Sequence, residues 1–587
     1  MKNEHQKSGG TAFDCIIRGG TVVDGTGAPP RRADVGVVAG TIRAVGDLSD
    51  ASSARVIGAE GMLVCPGFVD IHSHADLSVH MDEHEDILTP MLMQGITTTI
   101  GGNCGLGAAP VTKEHRRDIV AYNEAFVMRS MEERITWSST GDFLDKMKQR
   151  GVTLNLGMLA PHGVLRLSVM GSDRRLAGAD EVKGMGRLLD RCMEEGAFGM
   201  STGLQYFPGS QSDTDELVSL GDVIKRHEGV FTSHLRSYCH TLPQAIDEVL
   251  TVGRKNDIHI QISHIYWQPY SKALTPVVKG FVTFGSFIYN KLRVPIPIEL
   301  GLKGQFAPID RAISDGMSVG LDIVPSSQGF TELLAFFPPW VVEGGRDKAL
   351  ERLVDPTIRR KIRRDIEHGE PDWPHRDAAG WSMNYFKMTG WGGVRVMSVG
   401  SEKNRHMEGM SFPELGKLVK KHPFEVMCDL LVDEEGRVMV FHTPTVPDDP
   451  FVARSMYYAL FHPHVSIATD TILLGMGRPS HLFYDCFPRY LSFYAKNQGR
   501  ISIPEAVRKC TSLPAQQMGI TGRGEIREGF GADVVVMNWE RLETTATFYE
   551  PKRHPTGIEY VIVNGKVVVD GGVYQKGVMA GHILRKS

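Results

Sequence analysis

Eight short stretches rich in β-branched residues, set apart by helix-length intervals, constrain this chain more than any other feature. They are GFVDIH from Gly67, TTTIGG from Thr97, TLNLGML from Thr153, AFGMST from Ala197, GVFTSH from Gly229, IHIQISH from Ile258, SVGLDIV from Ser318 and VSIATD from Val465. Several intervals read as amphipathic helices. In LPQAIDEVLTVGRKN, Pro243 suits a first turn and Ile246, Val249 and Leu250 recur on one face. Strands alternating with helices imply parallel βα units, and eight of them imply an α/β fold built on a (β/α)8 TIM barrel. The interval 325–464 is too long for one connection and must hold an insertion. The chain ends differ: FDCIIRGGTVVDGTG, ADVGVVAGTIRAVG, ADVVVMNW and GIEYVIVNGKVVVDGG are β runs separated by Gly, Asp and Asn turns. They are expected to pair into a small β-sandwich domain. The domain expectation is therefore 1–66 and 519–587 for the β domain and 67–518 for the barrel.

The 587 residues are ample for a barrel and a satellite domain. A net charge of −4 gives no sign of a nucleic-acid or membrane partner; a small-molecule substrate and a homo-oligomer are both compatible with the composition. The N-terminus MKNEHQKSGG has no apolar leader and no run is long enough to span a bilayer, so a cytoplasmic location is expected. Eight scattered cysteines without a CxxC pair argue against a disulfide framework.

Chemically capable side chains gather at the strand ends. His72 and His74 close the first strand, Cys104 follows the second, His234 and His264 end the fifth and sixth, and Asp470 ends the eighth. Each alone reads as a structural residue. Six at the C-terminal rim, where TIM-barrel active sites form, make a zinc ligand set of imidazole, thiolate and carboxylate. Such a centre lowers the pKa of a bound water toward about 7.

At these residues a resemblance becomes specific. PGFVDIHSHAD resembles the first-strand HxH signature of the amidohydrolase superfamily. GGNCGLGAAP, APHGVLRLSVMG, GAFGMSTGLQYFPG, TSHLR, QISH, PPWVVEGG, IATD and GEIREGFGADVVV together resemble its N-acyl-D-amino-acid deacylase (D-aminoacylase) branch, over nearly the whole chain. The resemblance implies a tight zinc at Cys104, His234 and His264, a second, weaker site at His72 and His74, and Asp470 as catalytic acid/base. No lysine lies within 153–163, so a carboxylated bridging lysine is excluded and Cys104 takes that role. The resemblance also implies Tyr206 near substrate. His162, in an HGxxR run with Arg166, reads either as a group orienting substrate or stabilising an oxyanion or as a structural residue under the barrel rim.

The departures concern the substrate carboxylate. Where the family commonly has a lysine after the sixth-strand histidine, this chain has Tyr266; where it commonly has an arginine after the eighth-strand aspartate, it has Leu482; and Asp322 is followed by IVPSS rather than YPY. The segment 267–301 is aromatic and apolar, a candidate pocket wall or lid. Three readings follow: a zinc amidohydrolase of a neutral or hydrophobic N-acyl or aryl amide; a true N-acyl-D-amino-acid deacylase whose carboxylate is held elsewhere, as by Arg236 or Arg478; or a non-catalytic barrel-based assembly protein.

Overall fold

The computed structural model describes residues 13–270, 275–294, 296–370, 373–374 and 383–586. All eight stretches are strands: Phe68–Asp70, Ile96–Gly101, Asn155–Met158, Gly199–Gly203, Val230–His234, His259–Ile262, Val319–Ile323 and Val465–Ile467. Every sequential pair is parallel, with register such as Thr98↔Asn155, Gly199↔Val230 and Leu321↔Val465. The third strand resumes after Leu159 as Ala160–Pro161, which pairs with the fourth. The eighth meets the first through a parallel bridge between Ser73 and Thr471. Strand residues are buried almost throughout, as expected of parallel strands covered by helices on one side and packed against one another on the other. Leu242–Asn256 is a helix with Pro243 in its first turn and Ile246, Val249 and Leu250 fully buried, as its periodicity predicts.

The chain ends share one sheet. Leu63–Pro66 pairs antiparallel with Val534–Met537, with Cys65 opposite Val535, joining N-terminal strands to C-terminal ones. Ile17, Val35, Val64, Val534, Val536 and Ile562 fill the core of this β unit. Between the seventh and eighth barrel strands, Gly329–Glu332, Val394–Val399 and Val438–His442 form an antiparallel sheet with Val438–His442 in the centre. DPTIRRKIRRDIEHG is helical over Pro356–His368, where Asp355 caps the N-terminus by accepting from Thr357 and Ile358 N–H. No helix among the described residues is long and apolar enough to cross a membrane.

Candidate metal centre

The six rim residues converge. Ligand atoms of His72, His74, Cys104 and Asp470 form one group within 4.8 Å, and those of Cys104, His234 and His264 form another, with Cys104 common to both. His72 Nε2 lies 3.2 Å from Cys104 Sγ and 3.4 Å from Asp470 Oδ1; His74 Nε2 lies 3.3 Å from the same carboxylate oxygen. His264 Nε2 is 3.6 Å from Cys104 Sγ, and the rings of His234 and His264 are 4.5 Å apart.

The backbone is bent to bring them there. Cys104, His264 and Asp470 all have positive φ, at 54°, 32° and 53°, a conformation disfavoured for side chains that persists where the surroundings impose it. The Cys104 loop is held from both sides. Asp76 accepts from Gly102 and Ala108 N–H, and Asn103 Nδ2 donates to the carbonyls of Ile71, Ser73 and Ile100. Two glycines of this loop sit against neighbouring backbone. A Cβ on Gly102 would meet Leu159 O at 2.4 Å, and one on Gly105 would meet Gly203 N at 2.8 Å.

Charge balance follows from burial. Burial opposes ionisation of Cys104, yet His72 and hydrogen bonds from His234, His264 and His72 hold the thiol well below its usual pKa. Burial likewise opposes a charged His72, but the Cys104 thiolate and the Asp322 carboxylate raise its pKa well above the usual value. His74 is raised to about 9 against burial by its bonds to Asp470 and Cys104, while burial and the His264 charge take His234 down to about 4. Protons on His72 and His74 thus balance a thiolate and a carboxylate where a divalent cation would do the same. His234 turns Nε2 toward Gln205 Oε1 at 3.0 Å and leaves its buried Nδ1 without a hydrogen-bond partner, an arrangement suited to a ring that ligates through Nδ1. The donors therefore fit a zinc-type ion.

Asp322 is a site residue that sequence reasoning used only as a landmark. Its Oδ1 sits 3.2 Å from His72 Nδ1 and accepts from His264 N–H at 2.7 Å, while Oδ2 accepts from Gln261 at 3.1 Å. It therefore faces the His72 imidazole and anchors the His264 backbone. Gln205, whose Oε1 lies 3.0 Å from His234 Nε2, is a second residue that no motif singled out.

The centre opens into a cavity of about 650 Å3. Tyr206 and Tyr266 line it. Tyr206 packs 4.7 Å from the His234 ring and accepts from Thr331 Oγ1. Tyr266 stacks on Tyr238 at 4.5 Å and pairs its hydroxyl with that of Tyr385 at 2.9 Å. Two expected substrate residues are not among its lining. His162 is fully buried with Nε2 2.8 Å from Glu216, which also binds Arg166, so it serves an internal ion-pair network. Leu482 is fully buried at the start of the helix Leu482–Arg489. The insertion supplies wall residues Thr331, Tyr385 and His442. Trp267, Gln268, Val277, Phe281 and Ile298 of the 267–301 segment also line the cavity, whereas 271–274 and 295 lie outside the described residues.

Among the described residues no Lys or Arg lines this cavity. Arg236 is buried on Glu248, with Nε and Nη2 each 2.9 Å from a carboxylate oxygen, and on the carbonyls of Ser210 and Ser212. Arg478 reaches the carbonyls of Phe548 and Tyr549. The Arg236 guanidinium is thus occupied, and neither arginine is among the residues lining the cavity. Lys272, His375 and Arg376 lie outside the described residues.

The sequence profile of the amidohydrolase family matches residues 55–354 and 462–569, more than half of the chain. The chain belongs to the amidohydrolase family. This amidohydrolase is 28% identical over 577 residues to a D-aminoacylase of Alcaligenes xylosoxydans xylosoxydans, with 98% of each protein covered. Its fold superposes on a D-aminoacylase crystal structure with a TM-score of 0.74 at 27% identity, covering 98% of this chain and 100% of that one. A crystal structure of N-acyl-D-glutamate deacylase from Bordetella bronchiseptica, complexed with zinc and a phosphonate mimic of the tetrahedral intermediate, superposes with a TM-score of 0.74 at 25% identity and the same coverage. The TIM barrel with a β-sandwich domain is thus the shared architecture, and the amidohydrolase is an enzyme acting on C–N bonds, which sets aside a purely structural assembly role.

Proposed function

We propose that this amidohydrolase is a zinc-dependent deacylase of N-acyl amides whose amine portion carries no free carboxylate. The cavity wall carries the reading: it is mostly apolar and aromatic, and no described Lys or Arg faces it. Burying an unpaired carboxylate there would cost several kcal/mol.

Cys104, His234 and His264 would hold the tight ion, and His72 and His74, with Cys104 and Asp470 beside them, a second and weaker one. When bound, zinc polarises the scissile carbonyl and lowers the pKa of water. Asp470 reaches the cavity, so its carboxylate takes the proton of the attacking water and returns it to the leaving amine as the C–N bond breaks, yielding a carboxylate and an amine. Because Thr331 donates to the Tyr206 oxygen, the Tyr206 proton remains available to the carbonyl oxygen as negative charge grows on it.

The D-aminoacylase relatives favour a second reading, in which the substrate is a free N-acyl-D-amino acid. Matched pairs separate the two: an N-acyl-D-amino acid against its primary amide. With about 3 kcal/mol of unpaired-charge cost, kcat/KM for the amide is expected to exceed that for the acid by about a hundredfold. Faster turnover of the free acids would establish the second reading instead.

A further inference from the structure

The helix Thr275–Leu292 has two faces with opposite tasks. Val278, Val282, Gly285, Ser286 and Tyr289 recur at helical spacing on its inner side. Ser286 Oγ bonds Asp449 at 2.6 Å, Tyr289 packs on Phe451 and Arg454, and Val278 and Val282 line the cavity. The outer side is apolar and bare: Val277 is 66% exposed, Phe281 54%, Phe284 63% and Phe287 61%. A contiguous stripe of exposed aromatics on an ordinary surface is disfavoured and marks an interaction site.

Charge selects the occupant. The helix and its C-terminal flank, 275–294, contain Lys279, Lys291 and Arg293 and no Asp or Glu. A second copy of the chain would bring these like charges together across a two-fold axis. An anionic lipid surface would complement them, and a helix with phenylalanines on one face and cations beside them suits the headgroup boundary. The helix is too short and too polar to span the bilayer, so it would lie along it. Val277 and Phe281 belong both to the exposed stripe and to the cavity lining, so the stripe runs directly into the mouth of the active-site cavity.

We infer that Thr275–Leu292 docks this enzyme on an anionic membrane surface, with the cavity mouth opening onto the lipid. The composition of the whole chain, with its net charge near neutral, conceals this because the cations are local. Together with the proposed reaction, and resting on it, docking makes membrane-dissolved N-acyl amides with long acyl chains the substrates delivered to the cavity.

The test is flotation of the full-length protein with vesicles of phosphatidylcholine alone or mixed with phosphatidylglycerol. The wild type is expected to float with the mixed vesicles and to be released by salt. Phe284→Ser combined with Phe287→Ser, neither of which lines the cavity, is expected to weaken vesicle affinity by about a hundredfold at unchanged melting temperature and unchanged turnover of a short-acyl soluble amide. Flotation requires no catalysis, so its outcome is independent of whether the proposed reaction holds. Absence of the wild type from the mixed vesicles, or equal flotation of the double variant, overturns the inference. So does a wild-type dimer in sedimentation velocity that the same substitutions dissociate, which would assign the face to a second copy.

Discussion

Replacing Asp322 by Asn keeps the side chain's shape and one acceptor oxygen for His264 N–H, now 2.7 Å away, but removes the negative charge 3.2 Å from His72 Nδ1. At that separation and an effective dielectric of about 20, Coulomb's law gives about 5 kcal/mol between full charges. A neutral imidazole ligating a cation carries only part of a unit charge, so about 1.5 to 2.5 kcal/mol is at stake, which is about 10- to 100-fold in metal affinity and in the range found for carboxylates that support ligating histidines. Asp322→Asn is therefore expected to weaken zinc binding by that factor, read by competition of the apoprotein against a chromogenic chelator. Turnover at saturating zinc should fall less than affinity does, because Asp470 is untouched. A calorimetric melt of the apoprotein separates this from global destabilisation. Zinc affinity within threefold of wild type, in a folded variant, would refute the idea that Asp322 orients His72 for ligation.

Metal binding and proton transfer should separate cleanly. Cys104→Ala is expected to lose most bound zinc by elemental analysis, whereas Asp470→Asn should retain the tight ion while kcat falls by about a hundredfold or more; near-normal kcat in the latter would remove Asp470 from the reaction. The buried Glu216 network predicts an acid limit to stability. His162 and Arg166 outweigh burial and depress the Glu216 pKa to about 2, so its contribution is complete above its unfolded value near 4.5 and is lost as pH falls from there toward about 2. Glu216→Gln should cost about 3 kcal/mol at pH 7 and flatten the dependence of the melting temperature on pH across that window.

The barrel was legible because parallel strands buried on both faces read as continuous β-branched runs, and the six donors were legible because each stands just past such a run. What the sequence concealed are partnerships between distant residues. Asp322 acts on His72, far away in the chain, and nothing around Asp322 distinguishes a carboxylate that orients an imidazole from one that caps a loop. Arg236 invites assignment as a carboxylate anchor from its position after the fifth strand, but Glu248, one strand–helix turn later, occupies its guanidinium. Thr331, Tyr385 and His442 reach the cavity through the fold of the insertion, which the periodicity of 325–464 leaves open. His162 and Leu482 likewise stand in motifs that invite a substrate role, yet both are fully buried and outside the cavity lining.

Tyr266 is where substrate charge can be rewritten. Its ring lies against Tyr238 and its hydroxyl on that of Tyr385, so the position that commonly carries a lysine in the deacylase pattern here closes an aromatic wall. In Tyr266→Lys the ammonium would stand in a mostly apolar cavity, where burial lowers its pKa and a substrate carboxylate would restore its charge. A charge-assisted pair of this kind favours the free acid over its amide by about 1.4 kcal/mol or more, so the ratio of kcat/KM for N-acyl-D-amino acid to that for the matched amide should rise at least about tenfold, mainly through KM. Tyr266→Leu, which removes the ring without adding charge, should lower turnover of both substrates without moving the ratio. The gain should also disappear at alkaline pH as the ammonium deprotonates, a signature that a mere change of pocket shape lacks. If the ratio stays fixed in a folded, zinc-loaded Tyr266→Lys enzyme, charge at this wall does not select the substrate, and the carboxylate-free reading of the cavity loses its physical basis.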